Sequence, residues 1–192
     1  MLKNSGFNQE VSKELILLAQ QGDIDAFEQI YHLFANASYA LAFRICNQHS
    51  VAEDVVHDAF IKIMNNVSKF RDDGSFAGWC RRIVTCEALD RLKKSSRVHL
   101  VIDEDLIDGE ELDLFQQDWL DAVIDIDKLI QQLSPNYRAI FLLHEIEGYS
   151  HKEIAQLFEK SESFSKVTLS RAYASLKKIA LKTNQELQYA PN

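Results

Sequence analysis

The chain has 192 residues, of which 46% are hydrophobic and 26% are charged, and its net charge is −8 at pH 7. This composition excludes wholesale disorder and suffices for two small domains or one ordinary domain. Six glycines, two prolines and the lack of strand-like alternation predict an all-α fold. The polar N-terminus and the lack of a long apolar run predict a cytoplasmic protein without membrane insertion.

The negative charge is concentrated in the middle of the chain. Residues 98–127 contain 11 acidic side chains and no lysine or arginine, whereas residues 128–182 contain 9 basic and 5 acidic ones. This asymmetry leaves a basic C-terminal segment that can approach phosphates. We predict a helical N-terminal domain over 10–97, an acidic linker over 98–125 and a helical C-terminal domain over 126–183. A solvated charged face is an equally good explanation of the acidic run. We also predict a short helix near the end of the linker.

Apolar residues at three- and four-residue steps predict amphipathic helices in the N-terminal domain. The first is predicted over 11–21 and ends at Gly22, and Asp23 is a good N-cap for the second. The inward stripe of the second helix is Phe27, Ile30, Tyr31, Phe34, Leu41 and Ile45. The inward stripe of the third is Ala52, Val55, Val56, Ala59, Phe60, Ile63, Met64 and Val67.

A loop over 68–75 and the helix that follows it combine aromatic rings with guanidinium groups. The residues concerned are Phe70, Arg71, Trp79, Arg81 and Arg82. Both helix arginines, with Thr85, are predicted to point away from the core. Aromatic rings beside arginines suit unstacked single-stranded bases, although core packing explains Trp79 equally well.

Neither a catalytic site nor a metal site is predicted. Asp54 and Asp58 are one helical turn apart, but no nucleophile or set of metal ligands accompanies them. Cys46, Cys80 and Cys86 lack zinc-site spacing and are predicted to be reduced thiols. The acidic helix face is better explained by a partner or by solvent. We therefore predict a protein that is not an enzyme and needs no cofactor.

The C-terminal domain has the pattern of a helix-turn-helix. Ser134 and Pro135 start one helix, and Ser150 with Glu153 forms a capping box that starts a short second one. A polar turn at 159–163 then leads to a basic amphipathic helix, which can lie in a major groove of DNA. Ordinary packing of two helices in a bundle is the alternative.

Five segments, in this order, resemble the extracytoplasmic-function (ECF) sigma factors of bacterial RNA polymerase. They read GDIDAFEQIYHLF, AEDVVHDAFIKI, FAGWCRRIVTCEALDRLKK, LSPNYRAIFLLHEIEGYSHKEIAQLF and SKVTLSRAYASLKK. The resemblance extends over nearly the whole chain. It implies a specificity subunit that brings core polymerase to particular promoters and helps melt them, while the polymerase performs the chemistry.

The resemblance assigns residues to three surfaces. Docking on the clamp helices of the polymerase β′ subunit is assigned to Glu53, Asp54, His57 and Asp58. Capture of the melted minus-ten element is assigned to Phe70, Arg71, Trp79, Arg81, Arg82, Thr85, Cys86, Lys93 and Lys94. Reading of the minus-thirty-five element as duplex is assigned to Lys152, Ser165, Lys166, Thr168, Arg171, Tyr173 and Lys177. The resemblance also implies that the acidic linker threads through the polymerase toward the RNA exit path. It further implies that the polymerase β subunit, promoter DNA and an anti-sigma factor are partners.

The chain departs from the family pattern within both DNA-binding surfaces. Cys86 stands where asparagine is common, and Tyr173 stands where arginine is usual. In the helix-turn-helix turn, Glu159 and Lys160 replace a glycine and an aliphatic residue, and Glu159 would be unfavourable in a left-handed backbone. Phe164 replaces a small threonine and is expected to supply the missing apolar contact. With fewer cations, we expect a shallower salt dependence of DNA binding.

The sequence leaves two other interpretations open. One is a helix-turn-helix regulator of sigma-like ancestry that no longer binds polymerase, which the AED segment and the acidic linker disfavour. The other is a protein-binding decoy with decayed DNA surfaces, which the altered turn and Cys86 favour.

Overall fold

The computed structural model describes residues 6–72, 74–98 and 126–188. All regular structure in these ranges is helical, which confirms the all-α prediction. The described residues form two compact units, one ending at Val98 and the other beginning at Ile126. Apart from Val98, the predicted acidic linker and its expected short helix lie outside the described residues. None of the helices described is long and apolar enough to cross a bilayer.

Long helices build the N-terminal unit. They are α1 (Lys13–Gln20), α2 (Ile24–Cys46), α3 (His49–Asn66) and α4 (Phe76–Val98), with a 3-10 turn at Val67–Lys69. Helix α1 begins two residues later than predicted because Ser12 is its N-cap, whose hydroxyl accepts a hydrogen bond from Leu15 N–H at 3.2 Å. The predicted cap of α2 is confirmed, since the Asp23 carboxylate accepts from Ala26 N–H at 2.9 Å.

The core of the N-terminal unit lies where α2, α3 and α4 pack against one another. Its largest fully buried side chains are Ile30, Phe34, Leu41, Ile45, Ile63 and Leu89. Burial of each such side chain contributes about 1.5–3 kcal/mol relative to leaving it exposed. The packing therefore fixes the outer faces of α3 and α4, which carry most of the candidate residues of this unit.

The C-terminal unit contains the predicted helix-turn-helix. Its helices are α5 (Ile126–Gln131), α6 (Pro135–Phe141), α7 (His151–Phe158) and α8 (Glu162–Gln188), and π-helical residues Leu142–Ile146 continue α6. The capping box at the start of α7 is confirmed, with Ser150 and Glu153 bonding each other's backbone N–H groups. Pro135 occupies the first turn of α6 as predicted, but the Ser134 side chain makes no capping hydrogen bond.

A compact apolar core holds α6, α7 and α8 together. Its largest fully buried side chains are Ile140, Phe141, Leu142, Leu143, Ile154 and Leu176. Arg138 is also buried, and its guanidinium donates to the carbonyls of Leu133 at 3.0 Å and Gln131 at 3.4 Å. Because Gln131 is the last residue of α5 and Leu133 lies two residues beyond it, the arginine satisfies acceptors that a helix end leaves without partners. This contact anchors α5 to the rest of the unit.

Candidate functional site

An acidic face lies on the first half of α3. Glu53, Asp54 and His57 are exposed and Asp58 is partly exposed, and their spacing places them on neighbouring turns of one side of the helix. Arg91 of α4 donates a hydrogen bond to Asp58, and its other terminal nitrogen lies 3.7 Å from the Asp54 carboxylate. The hydrogen bond from Arg91, and then that from His57, holds the pKa of Asp58 below its usual value.

An apolar groove of about 490 Å³ adjoins this acidic face, between α2 and α3. Tyr31, Ile61 and Met64 line it and are 40%, 41% and 44% exposed, and Glu53 and His57 line it as well. The sequence predicts Tyr31 and Met64 on inward stripes, and this prediction is wrong. Each apolar stripe is wider than the part of the helix that the packed helices cover. The Tyr31 ring packs against the Phe60 ring beside the groove, with ring centroids 4.7 Å apart.

The residues assigned to the melted minus-ten element differ widely in exposure. Arg71, Arg82 and Lys94 are exposed, while Trp79, Arg81, Cys86 and Lys93 are partly buried and Phe70 and Thr85 are buried. The Phe70 ring packs edge-on against Phe76 at 5.1 Å and lies 5.7 Å from the Trp79 ring. These aromatic rings therefore form a cluster that joins the loop to α4.

Thr85 corrects one prediction, because its side chain is fully buried and does not point away from the core. Position 85 lies on the side of α4 that also buries Val84, Ala88 and Leu89. Burial also raises the pKa of the Cys86 thiol. A neutral, partly buried thiol is a poor nucleophile, which agrees with the prediction of reduced cysteines.

The outer face of α8 carries most of the exposed cations assigned to duplex DNA. Lys166, Arg171 and Lys177 are exposed on α8, and Lys152 is exposed on α7. Val167 is 49% exposed beside Lys166, an apolar side chain that a pattern of polar residues does not reveal. Such a side chain suits the methyl group of thymine.

Ser165, Thr168 and Tyr173 lie on the inner side of α8. Ser165 and Thr168 are buried, and the Ser165 hydroxyl is 3.0 Å from His151 Nδ1 on α7. The Tyr173 ring packs edge-on against Phe141 at 5.4 Å, and burial raises the pKa of its hydroxyl. The structure thus places these three side chains in the packing between helices and not on the exposed basic face.

The turn between α7 and α8 has the conformation expected of a glycine. Glu159 has φ +56° and ψ +41°, which is left-handed backbone, and it ends α7. Lys160 is exposed, and the Phe164 ring lies 5.9 Å from that of Phe158. The expected apolar contact from Phe164 is therefore confirmed. The turn keeps a helix-turn-helix backbone although its sequence is unusual.

The described residues contain no group of three histidine, cysteine, aspartate or glutamate side chains suited to hold a metal ion. The features that stand out in the two units are instead the acidic face with its apolar groove on α3 and the basic face of α8.

Comparison with known proteins defines the class of protein. Residues 30–98 match the family described as sigma-70 region 2, and residues 124–176 match sigma-70, region 4. Two helical units of these types, in this order, define a transcription initiation factor of the sigma-70 class. Within that class, the chain belongs to the ECF sigma factors and is a sigma factor of RNA polymerase.

Two curated relatives agree with this assignment. The chain is 27% identical over 178 residues to the ECF RNA polymerase sigma factor SigW of Bacillus subtilis, covering 86% of this chain and 95% of SigW. It is 28% identical over 140 residues to ECF sigma factor SigE of Mycolicibacterium smegmatis, covering 70% of this chain and 53% of SigE.

Two solved structures share the fold. One is the sigma factor RpoE in complex with the anti-sigma factor NepR from Bartonella quintana, with a TM-score of 0.54 and 24% identity over 82% of this chain and 98% of that one. The other is CnrH in complex with the cytosolic domain of CnrY, with a TM-score of 0.52 and 21% identity over 87% of this chain and 95% of that one.

Proposed function

We propose that this sigma factor brings core polymerase to its promoters through three separate surfaces, one for the polymerase and two for DNA. The observation that carries the proposal is the separation of exposed charge between the faces of different helices. An exposed acidic face lies on α3, whereas exposed lysines and an arginine lie on α8. An acidic face suits a basic protein partner, and a basic helix face suits phosphates and base edges.

The polymerase surface is the acidic face of α3 together with the groove beside it. Glu53, Asp54, His57 and Asp58 would pair with basic side chains of the β′ clamp helices. The exposed apolar walls of the groove, including Ile61 and Met64, would add buried area at the centre of the contact. Charge at the rim would speed and orient association, and apolar burial would supply much of the affinity.

The minus-ten surface is the loop at 70–72 with the exposed side of α4. Arg71, Arg82 and Lys94 would contact the backbone and bases of the melted strand, with Arg81, Cys86 and Lys93 at the edge of the site. Trp79 is partly exposed, and the part of its ring that Phe70 and Phe76 do not cover would stack on a base. Phe70 and Thr85, being buried, would act by shaping the surface.

The minus-thirty-five surface is the exposed side of α8 with Lys152 of α7. Lys166 and Arg171 would reach base edges, while Lys152 and Lys177 would contact phosphates. Ser165, Thr168 and Tyr173 would hold α8 at the required angle by packing against α6 and α7.

Regulation and location follow from the same assignment. RpoE, which shares this fold, forms a complex with an anti-sigma factor, and this supports an anti-sigma partner here as well. A chain that serves RNA polymerase works in the cytoplasm, and the polymerase supplies the catalysis, so this protein acts without enzymatic activity or a cofactor of its own.

The test is run-off transcription with core polymerase on genomic fragments, with and without this protein. Discrete new start sites are expected, and the DNA upstream of them would give both promoter elements. Binding to core polymerase without new starts would contradict promoter recognition and favour a decoy. No binding to core polymerase would contradict the sigma assignment and favour a separate DNA-binding regulator.

A further inference from the structure

Helix α1 lies outside the residues that match sigma-70 region 2, yet it contacts the loop of the minus-ten surface directly. Gln20, the last residue of α1, donates from Nε2 to the carbonyl of Val67 at 3.1 Å and to the carbonyl of Phe70 at 2.9 Å. The side chain is partly buried, so both bonds are partly shielded from competing water. One amide group thus spans the 3-10 turn that leads into the loop.

The two acceptors are placed where the backbone leaves α3. Val67 O also accepts a hydrogen bond from Phe70 N–H at 3.1 Å, which closes the 3-10 turn. A carbonyl oxygen can accept two hydrogen bonds, so Gln20 adds to this turn without competing with it. Phe70 has extended backbone with φ −68°, which directs the chain away from the helix. Gln20 therefore fixes the point at which the loop begins.

Packing against α4 holds the loop from the side opposite α1. The Phe70 ring lies against Phe76 and Trp79 of α4, so the residue is fixed through its ring by α4 and through its carbonyl by α1. The next residue, Arg71, is exposed. A second tie, from Lys13 Nζ to Asp72 Oδ2 at 2.6 Å, joins α1 to the loop beyond Arg71. Both partners of that ion pair are more than half exposed, so it contributes little.

We propose that Gln20 is a positioning residue for promoter recognition, which holds the backbone beneath Arg71 in the conformation that meets the melted minus-ten strand. The inference rests on the proposed minus-ten surface. Its physical basis is preorganisation, because a loop that is already ordered loses less conformational freedom when DNA binds. Gln20 need not touch DNA to act in this way.

The decisive variant is Gln20→Met, which keeps the length and packing of the side chain but removes both donors. Gln21→Met is the matched control, because it makes the same change at the next residue, which is exposed at the end of α1. Lys13→Gln tests the exposed ion pair. Gln20→Glu places a carboxylate opposite two carbonyl oxygens and is expected to be worse than Gln20→Met.

Each variant would be assembled with core polymerase and supplied with promoter DNA randomised separately in the minus-ten and minus-thirty-five regions, and the transcripts would be sequenced. For Gln20→Met we expect unchanged affinity for core polymerase and an unchanged minus-thirty-five preference. Transcription from the preferred minus-ten sequence should fall about fivefold, the equivalent of one ordinary hydrogen bond. Gln21→Met and Lys13→Gln should behave like the wild type.

Three other outcomes are informative. Minus-ten preference and activity equal to the wild type in Gln20→Met would overturn the positioning role. Equal losses of polymerase binding, thermal stability and minus-ten preference would also overturn it, because they would show a general structural role. If the wild type itself gave no discrete start sites, the proposed function would fall, and the positioning role with it.

Discussion

Arg91 of α4 donates a hydrogen bond to Asp58 of α3, and this ion pair ties the acidic face to the body of the N-terminal unit. The arginine also lies 3.7 Å from Asp54, so it neutralises part of the face that is proposed to meet polymerase. Glu53 is exposed and lines the apolar groove instead. The carboxylates of one helix face therefore have different tasks, since some also hold α3 to α4.

Because of this difference, we expect Asp58→Asn to lower both stability and polymerase binding, and Glu53→Gln to lower polymerase binding alone. Both changes should weaken core-polymerase binding in a competition assay. Asp58→Asn should also lower the free energy of unfolding by about 0.5–1 kcal/mol, the range of partly exposed ion pairs, whereas Glu53→Gln should change it by less than about 0.5 kcal/mol. Equal stability of the two variants in urea unfolding would contradict the structural task of Asp58.

The stabilising effect of Asp58 should also depend on pH. Its pKa is lowered in the folded protein by Arg91 and His57, so the unfolded chain takes up a proton first as the pH falls. The stability that the ion pair adds is therefore present above the ordinary aspartate pKa of about 3.9 and is lost below it. Unfolding curves of wild type and Asp58→Asn should differ near neutral pH and converge in acid.

The left-handed backbone at Glu159 predicts a stabilising substitution. Glu159→Gly should raise the free energy of unfolding of the C-terminal unit by about 0.5–1 kcal/mol, because glycine adopts φ +56° without steric cost. Glu159→Asn should give a smaller gain, since asparagine tolerates this region better than most residues. Glu159→Gln is the control for loss of charge alone and should give no gain. A gain for glutamine equal to that for glycine, in melts followed by circular dichroism, would assign the effect to charge.

Much of the fold could be predicted because the relevant signals are local. The N-cap at Asp23 and the capping box at Ser150 and Glu153 satisfy helix-end groups within a few residues, so sequence spacing suffices to find them. The strained conformation at Glu159 also follows from the position of the residue within a recognisable turn.

The exposure of individual side chains is harder to predict. Helical periodicity shows which residues share a face of a helix, but it does not show whether another helix covers that face. Tyr31 and Met64 lie on apolar stripes yet line an open groove, while Thr85 and Ser165 are polar yet buried. The contact between Gln20 and the loop joins residues about fifty positions apart, which no local pattern reveals. The sequence thus predicts which helix carries each surface. Only tertiary packing shows which side chains on that helix are exposed and which are buried and support them.

The basic face of α8 predicts two kinds of DNA-binding defect. Arg171→Ala should relax sequence preference at one position of the minus-thirty-five duplex and cost about 1–3 kcal/mol there. Lys177→Ala should weaken binding to all duplexes alike and reduce the slope of log affinity against log salt by about one. Affinities of a holoenzyme series at several salt concentrations would measure both. A uniform loss for Arg171→Ala would reassign that side chain to a phosphate contact.

A pair of stacked histidines predicts that acid weakens the helix-turn-helix. The rings of His144 and His151 lie 4.4 Å apart and nearly parallel, at the junction of α6 and α7, and Ser165 of α8 bonds His151. Burial, followed by the charges of His144 and Lys166, lowers the pKa of His151, although Glu162 and Glu145 oppose part of this effect. The unfolded chain therefore binds the proton more readily than the folded one.

With this sign, the contribution of His151 to stability is complete above the ordinary histidine pKa of about 6.5 and decreases as the pH falls below it. An NMR titration should place the midpoint of His151 below the ordinary histidine value of about 6.5. His32, which is exposed on α2 of the N-terminal unit, provides a control substitution. His151→Gln should make the thermal stability of the C-terminal unit less sensitive to mild acid, and His32→Gln should leave that sensitivity unchanged. A His151 midpoint above the ordinary value of about 6.5 would reverse the sign, because the folded unit would then bind the proton more tightly and mild acid would stabilise it.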